Sequence, residues 1–139
     1  MTITEKNMDL FTVPQGHYLA HCISADFALG AGIAKVFNDV FNMREKLKEF
    51  YSWPDVGDCL PVDNVFNLVT KELAFQKPTI DSLGESLQCM KRQMLALKIK
   101  KLAMPKIGCG LDKLDWEEVK DVIETVFDDT DIEILVCVI

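Results

Sequence analysis

No stretch of this chain approaches the roughly 18 consecutive apolar residues that a membrane-spanning helix needs, so no membrane partner is expected. The N-terminus, Met-Thr-Ile-Thr-Glu-Lys6, lacks the basic-then-apolar order of a secretory leader, and the expected location is cytoplasmic or nuclear. Histidine is scarce, with only His17 and His21, which leaves too few imidazoles for a His-rich metal centre. The five cysteines (Cys22, Cys59, Cys89, Cys109 and Cys137) are odd in number, scattered, and never spaced as C-x-x-C. A disulfide framework and a zinc site are both disfavoured, and no metal is expected. Cys22, Cys89 and Cys137 read as small buried hydrophobes. Positive charge is in deficit too, with a formal net charge of −7. Such a surface repels polyanions as a whole, and the Lys98-Ile-Lys-Lys101 cluster is too short to reverse that, so direct nucleic-acid binding is not expected. Linkers, repeats and low-complexity tracts are missing. Residues 1–139 are therefore expected to form one domain that buries roughly two-thirds of its unfolded surface.

What is present alternates in period. Thr2–Lys6 reads as a weak strand anchored by Ile3, followed by a turn at Asn7-Met-Asp9 and a lead-in, Leu10–Val13, to a loop at Pro14-Gln-Gly16. Tyr18–Ile23 is a compact run of mostly apolar residues, the mark of a strand covered on both faces. Ile33, Val36, Phe37, Val40 and Phe41 keep helical spacing, and after Asn42 a more charged helical segment runs from Met43 to Phe50. Short strands are predicted near Cys59–Val62 and Val65–Val69, separated by Asp63-Asn64. Ile80, Leu83, Leu87, Met90, Met94 and Leu97 make one continuous apolar face on a helix, with Thr79 as N-cap and Asp81 in its first turn. Lys101–Met104 is a strand. Asp115-Trp-Glu-Glu118 has the form of a capping box, and Trp116, Val119, Val122, Ile123, Val126 and Phe127 form the stripe to be buried. Ile132–Ile139 is a terminal strand. Helices between buried strands predict an α/β fold with helices on both faces of the sheet.

Two strands lead into glycine loops. Met104-Pro-Lys-Ile-Gly-Cys-Gly-Leu-Asp112 follows one strand and precedes a helix, the arrangement in which α/β proteins hold phosphates at the carboxyl edge of a sheet. Pro105 has no amide hydrogen and ends the ladder. Gly108 and Gly110 allow positive φ, so successive N–H groups can converge on an anion, and Asp112 places a carboxylate beside it. A tight turn with a solvated Asp would use the same residues. Leu29-Gly-Ala-Gly-Ile33 is the second such loop. Neither is a standard nucleotide motif: G-x-x-x-x-G-K-S/T is missing, and Gly30-Ala-Gly32 lacks the third glycine of a dinucleotide fingerprint. Backbone amides would still let an acidic protein bind a small diphosphate.

The residues within these loops, in order, are Asn-x-Asp-Leu-Phe11, Leu-Ala-His-Cys-Ile-Ser24, Gly-Ala-Gly-Ile-Ala34, Val-Thr-Lys71, Lys-Pro-Thr79 and Met-Pro-Lys-Ile-Gly-Cys-Gly-Leu-Asp112. Together they resemble the macrodomain family over essentially the whole chain. The closer similarity is to its terminal ADP-ribose protein glycohydrolase branch, whose members also deacylate O-acyl-ADP-ribose. The resemblance implies a three-layer α/β/α macrodomain with a mixed central sheet. ADP-ribose and ADP-ribosylated proteins are the implied partners of a monomer that needs no cofactor. It further implies Asp9 and Leu10 near the adenine, Ser24 near the ribose-diphosphate, and Gly30, Ala31, Gly32 and Ile33 near the distal ribose. Lys106, Ile107, Gly108, Cys109, Gly110 and Leu111 would wrap the diphosphate, and Ile139 would border the site. Read alone, Asp9 serves equally as a turn or cap residue, His21 as a structural strand residue, and Cys109 as a small filler without the histidine partner a nucleophilic thiol needs.

The catalytic candidates are Lys71 and Asp112. Once its ring opens, the distal ribose exposes a masked aldehyde, and an unprotonated amine adds to such a carbon to give a Schiff base. Partial desolvation favours the neutral amine, and Lys71 follows an apolar strand. A neighbouring carboxylate can shuttle protons and release the adduct. The resemblance supplies the same pair, and implies hydrolysis of the ester between ADP-ribose and an acidic residue or acyl group. Without it, Lys71 reads as a surface lysine beside Glu72. The alternatives are a non-catalytic ADP-ribose reader and an ADP-ribose 1″-phosphate phosphatase. Departures from the family also carry information. His-Cys-Ile-Ser24 stands where most macrodomain hydrolases have an Asn-rich motif, which fits the lysine-dependent branch. Cys137 stands where relatives often have an aromatic residue against the adenine. Residues 51–64 do not follow the family pattern.

Overall fold

The computed structural model describes residues 1–139. Its strands are β1 (Thr2–Asn7), β2 (Tyr18–Ser24), β3 (Cys59–Val62), β4 (Val65–Lys71), β5 (Lys101–Met104) and β6 (Glu133–Val138). The helices are α1 (Gly32–Phe41), α2 (Met43–Phe50), α3 (Ile80–Leu97) and α4 (Trp116–Phe127), with one 3-10 turn at Leu10–Thr12. The six strands form one mixed sheet in the order β1-β6-β5-β2-β4-β3. Every neighbouring pair is parallel except β3 with β4, which a two-residue turn at Asp63-Asn64 reverses, Asp63 taking a φ of 52°.

Helices cover both faces because the central strands are apolar on both. On one face α3 and α4 pack Leu83, Leu87, Met90, Met94, Val119, Ile123 and Phe127 onto Phe66, Leu68, Leu102, Met104, Ile134 and Val136. On the other, Phe37 of α1 and Met43 and Leu47 of α2 cover Leu19, Ile23, Val65 and Val69. Each such buried side chain contributes roughly 1.5–3 kcal/mol, so α3 and α4, which bury four apolar side chains each, are the best-anchored helices. The start of α3 is also fixed by a reciprocal capping box between Thr79 and Ser82. The sheet edge at β3 is closed to further pairing: Pro61 lacks an N–H, and the carbonyls of Pro61 and Cys59 accept from Tyr51 and Gln93, both at 2.8 Å.

Some details differ from the sequence reading. The helix at α1 forms as its spacing predicts, but only Phe37 is fully buried, while Ile33, Val36 and Val40 are 38%, 38% and 53% exposed. The helix touches the fold along one line, where Phe37 stacks on His21 and meets Phe11 and Phe41, and its apolar flank faces outward. Leu97 is exposed because α3 ends there, its cap Lys98 turning left-handed with a φ of 58°. Trp116 and Val122 are only half-buried on α4, and Asp115 caps it through one bond, from the Glu118 N–H. Leu10–Thr12 is a 3-10 turn rather than a lead-in, β4 runs on to Lys71, and β6 stops at Val138. No helix is long and apolar enough to cross a membrane.

Parallel pairing brings the carboxyl ends of β2, β4, β5 and β6 to one edge of the sheet. From β2 the chain continues to β4 on one side, and α3 then carries it back to β5 on the other. A crevice opens at such a reversal, and loops leaving the strands form its walls.

Candidate active site

That crevice is a cleft of about 800 Å³, within the roughly 300–1,000 Å³ common for small-molecule sites. Its walls come from the β2–α1 loop (Ser24, Ala28–Ala34), the β4–α3 connection (Lys71, Ala74, Phe75, Lys77) and the β5–α4 loop (Pro105–Gly108, Gly110–Lys113).

The first wall ends in the N-terminus of α1. Ala31 gives it no side-chain cap, and the first helical bond is Lys35 N–H to the Ala31 carbonyl. The earlier first-turn N–H groups are therefore free to meet an anion. Asp26 braces this wall against the second. Its carboxylate accepts from the Ser24 hydroxyl at 2.5 Å and from the N–H groups of Ala28 and Ala74 at 3.1 and 3.0 Å. Burial pushes its pKa up, but these hydrogen bonds win and hold it below the usual carboxylate range.

The third wall depends on Gly108. It has a φ of +73°, which favours glycine, and a Cβ there would lie 2.9 Å from Leu114 Cδ1, so that side chain would have to move. Gly110 does not use the positive φ that the sequence allowed it. The two glycine loops nearly touch: Gly32 has a φ of +57°, and a Cβ on it would meet Leu111 Cδ1 at 3.2 Å.

Lys71, from the end of β4, and Asp112, from the third wall, meet on the cleft floor. Nζ and Oδ1 are 2.7 Å apart, and the side chains are only 15% and 17% exposed. The partner of Lys71 is thus Asp112, 41 residues away in the chain, and not Glu72. Around them the cleft carries Lys71, Lys77, Lys106 and Lys113 against the single carboxylate of Asp112, a positive lining in a chain of net charge −7. Low-dielectric walls focus that field on an anionic guest. Lys77 Nζ also donates to the Leu111 carbonyl at 2.7 Å. Cys22 lies in the cleft wall, its thiol pushed up to about 12 by burial and by Asp112. Burial and Asp115 also raise the Cys109 thiol, against a smaller opposing effect of Lys106. Neither is placed to act as a thiolate at neutral pH. No group of three or more His, Cys, Asp or Glu side chains is placed to hold a metal ion.

Of the residues singled out from the sequence, Ser24, Gly30–Ile33, Lys71, Lys106–Gly108 and Gly110–Asp112 line this one cleft. Lys106 there is half-exposed, 3.8 Å from Glu5 and over the Trp116 ring at 5.7 Å. Asp9, Leu10, Cys109 and Ile139 are not among its walls. Asp9 caps the 3-10 turn by accepting from the Phe11 N–H at 2.9 Å, Leu10 is buried in the core, and Ile139 is 93% exposed. His21 is a fully buried core residue. The sequence reading gave no site role to Asp26, Phe75 or Lys77, although Lys77 opens the Lys-Pro-Thr79 motif. An Asp two residues past a strand end is a recognisable turn signal, and it was the one clue available for Asp26.

Comparison with known proteins follows the same line. The chain is 44% identical over 137 residues to ADP-ribose glycohydrolase OARD1 of Bos taurus, covering 96% of this chain and 90% of that one. Its backbone superposes on the macrodomain of Thermus aquaticus DarG with a TM-score of 0.84 at 20% identity, covering 99% of each. Thermosipho africanus DarTG, solved in complex with ADP-ribose, matches with a TM-score of 0.78 at 17% identity. This chain is covered to 98% and spans 41% of that longer protein. At such identities the last two speak for the fold alone. No family model matches the sequence.

Proposed function

The chain belongs to the macrodomain family, in the branch of ADP-ribose glycohydrolase OARD1, and from that premise we propose that its cleft hydrolyses the ester joining ADP-ribose to a carboxylate. The ester is borne by an acidic residue of a protein or by an O-acyl group. The observation that carries the reading is the Lys71–Asp112 pair, 2.7 Å apart and mostly shielded, on the floor of a positively lined cleft. A module that only binds needs the loops; it has no need of a shielded amine beside a carboxylate.

The pair supports the following chemistry. Asp112 takes a proton from the Lys71 ammonium, and the freed Nζ lone pair bonds to the anomeric carbon of the distal ribose. The bond from that carbon to the ester oxygen breaks, its electron pair leaving on the carboxylate of the protein or acyl group, which takes the proton from Asp112 and leaves it ionised again. Water then adds to the same carbon, Asp112 accepting its proton, the carbon–nitrogen bond breaks back to Lys71, and Asp112 returns the proton to the Lys71 amine. One water is consumed, and free ADP-ribose and a free carboxylic acid result. The free N–H groups at the start of α1 and the loop around Gly108 suit the diphosphate, and Ser24 suits the ribose beside it. Asp9, exposed on its 3-10 turn, is the residue that the resemblance would set against the adenine, while Leu10 is turned into the core.

The test is a linkage panel with ADP-ribose calorimetry in parallel. The wild-type protein is expected to bind ADP-ribose and to release it from glutamate-linked protein and from O-acetyl-ADP-ribose, but not from arginine-linked protein. Binding without release from any substrate would make it a reader, and absence of binding would remove the assignment of the cleft.

A further inference from the structure

The turn that carries Asp112 packs on the core at its ends, through Cys109 and Leu114, and is exposed at its tip. Residues 108–114 close on themselves through main-chain bonds, Lys113 N–H to Gly110 at 3.1 Å and Leu114 N–H to Gly108 at 2.8 Å. Gly110, Leu111 and Lys113 are exposed. Two lysines from the second wall tie this turn across the cleft. Lys71 binds the Asp112 carboxylate, and Lys77 Nζ donates to the carbonyl of Leu111, one residue before it, each at 2.7 Å. Lys77 stands on a fixed base. The next residue, Pro78, is buried, Thr79 caps α3, and the connection is pinned at Ala74 by Asp26.

Covalent catalysis makes the two ties unequal. When Lys71 Nζ bonds to the sugar, its position is set by the adduct and its ammonium no longer clamps Asp112. The bond from Lys77 goes to a main-chain carbonyl and is untouched by that chemistry. We propose that Lys77 is a positioning residue that keeps Asp112 over the Lys71 adduct during the hydrolytic half of the reaction. The proposal rests on the covalent reading above. Lys77 touches no reacting atom in it; water supplies the oxygen, Asp112 takes the proton, and Lys71 leaves with the electron pair of the carbon–nitrogen bond. What Lys77 fixes is where the carboxylate waits. A charged donor on a carbonyl is among the stronger protein hydrogen bonds, and the exposure of this one to solvent reduces its effect.

The experiment uses the full chain with glutamate-ADP-ribosylated protein, comparing wild type, Lys77→Met, which keeps the stem and loses the donor, and Lys77→Arg, which keeps a donor. Readouts are kcat, KM, ADP-ribose affinity, and the fraction of enzyme carrying ADP-ribose on Lys71, by intact mass after cyanoborohydride has reduced the ring-opened Schiff-base form of the adduct. Lys77→Met is expected to lower kcat on the order of tenfold, with a larger adduct fraction than wild type, while the loss of one lining charge weakens ADP-ribose affinity by a smaller factor than that. Lys77→Arg is expected to restore most of the rate. If Lys77→Met loses affinity in step with turnover, or its adduct fraction does not rise, Lys77 is a ligand-binding or purely structural lysine and the proposal is overturned. If wild type turns over with no adduct, and Lys71→Ala turns over as well, covalent catalysis itself fails and takes the proposal with it.

Discussion

Lowering the pH should destabilise this protein through His21. The ring is completely buried in β2, stacked on Phe37 with centroids 3.8 Å apart, and its Nε2 lies 2.6 Å from Asn67 Oδ1. Asn67 Oδ1 accepts, so Nε2 carries the hydrogen, while Nδ1 is buried with no partner. Charging the ring would put a proton on Nδ1 with nothing to receive it. Burial accordingly lowers the pKa from 6.5 to about 4, against a smaller opposing effect of the Asn67 bond. In the unfolded chain the same ring takes up its proton near 6.5. Between these values the unfolded state binds a proton that the folded state refuses, so stability falls as pH drops from about 7 to 4 and this contribution levels off below. The difference, 6.5 − 4, is worth about 3 kcal/mol, a large share of the 5–15 kcal/mol typical of a domain. Urea unfolding of wild type and His21→Gln from pH 7.5 to 4.5 isolates it, because carboxylate titration is common to both. The substitution is expected to destabilise at pH 7.5 and to flatten the pH dependence. Parallel curves for the two proteins would refute the neutral buried ring.

Other perturbations address the cleft. Gly108→Ala must hold a φ of +73° and push Leu114 aside, so it is expected to cost about 1–2 kcal/mol by chemical denaturation and to weaken ADP-ribose binding. Lys71→Arg keeps the positive charge facing Asp112 but has no nucleophilic amine; retained calorimetric binding with lost turnover is the expected pattern. Asp26→Asn removes an acceptor shared by Ser24, Ala28 and Ala74, and is expected to loosen two walls at once and lower ADP-ribose affinity. Because Asp26 is held below the usual carboxylate range, its stabilisation is present above the unfolded value of 3.8 and lost as pH falls through the folded one. The Asp26→Asn variant should lack that part of the acid dependence in the same urea series. Raising ionic strength is expected to weaken ADP-ribose binding and leave adenosine binding nearly unchanged, since the lysine lining attracts the diphosphate.

Much of this architecture was legible in the chain because its physical demands fall on residue type. A central parallel strand must be apolar on both faces, and Tyr18–Ile23 and Val65–Val69 are. A loop that turns its amides toward an anion needs glycine at a positive φ, and Gly32 and Gly108 meet that need. Chemistry says what Lys71 and Asp112 could do together, but only the resemblance said that they meet, since no spacing rule joins residues so far apart. What escaped was less constrained. Helical periodicity shows that α1 has an apolar flank but not whether the fold covers it, and Ile33, Val36 and Val40 lie open. Lys77 binds a main-chain carbonyl, an acceptor that every residue offers, so nothing in the identity of Leu111 announces the contact.

The central claim is that Lys71 and Asp112 together perform the hydrolysis. The most direct measurement follows ADP-ribose release from a glutamate-ADP-ribosylated protein by wild type, Lys71→Ala and Asp112→Ala, with ADP-ribose affinity determined for all three. Release by wild type alone, with binding retained at least in Lys71→Ala, is the predicted result. Undiminished release by Lys71→Ala would contradict the account.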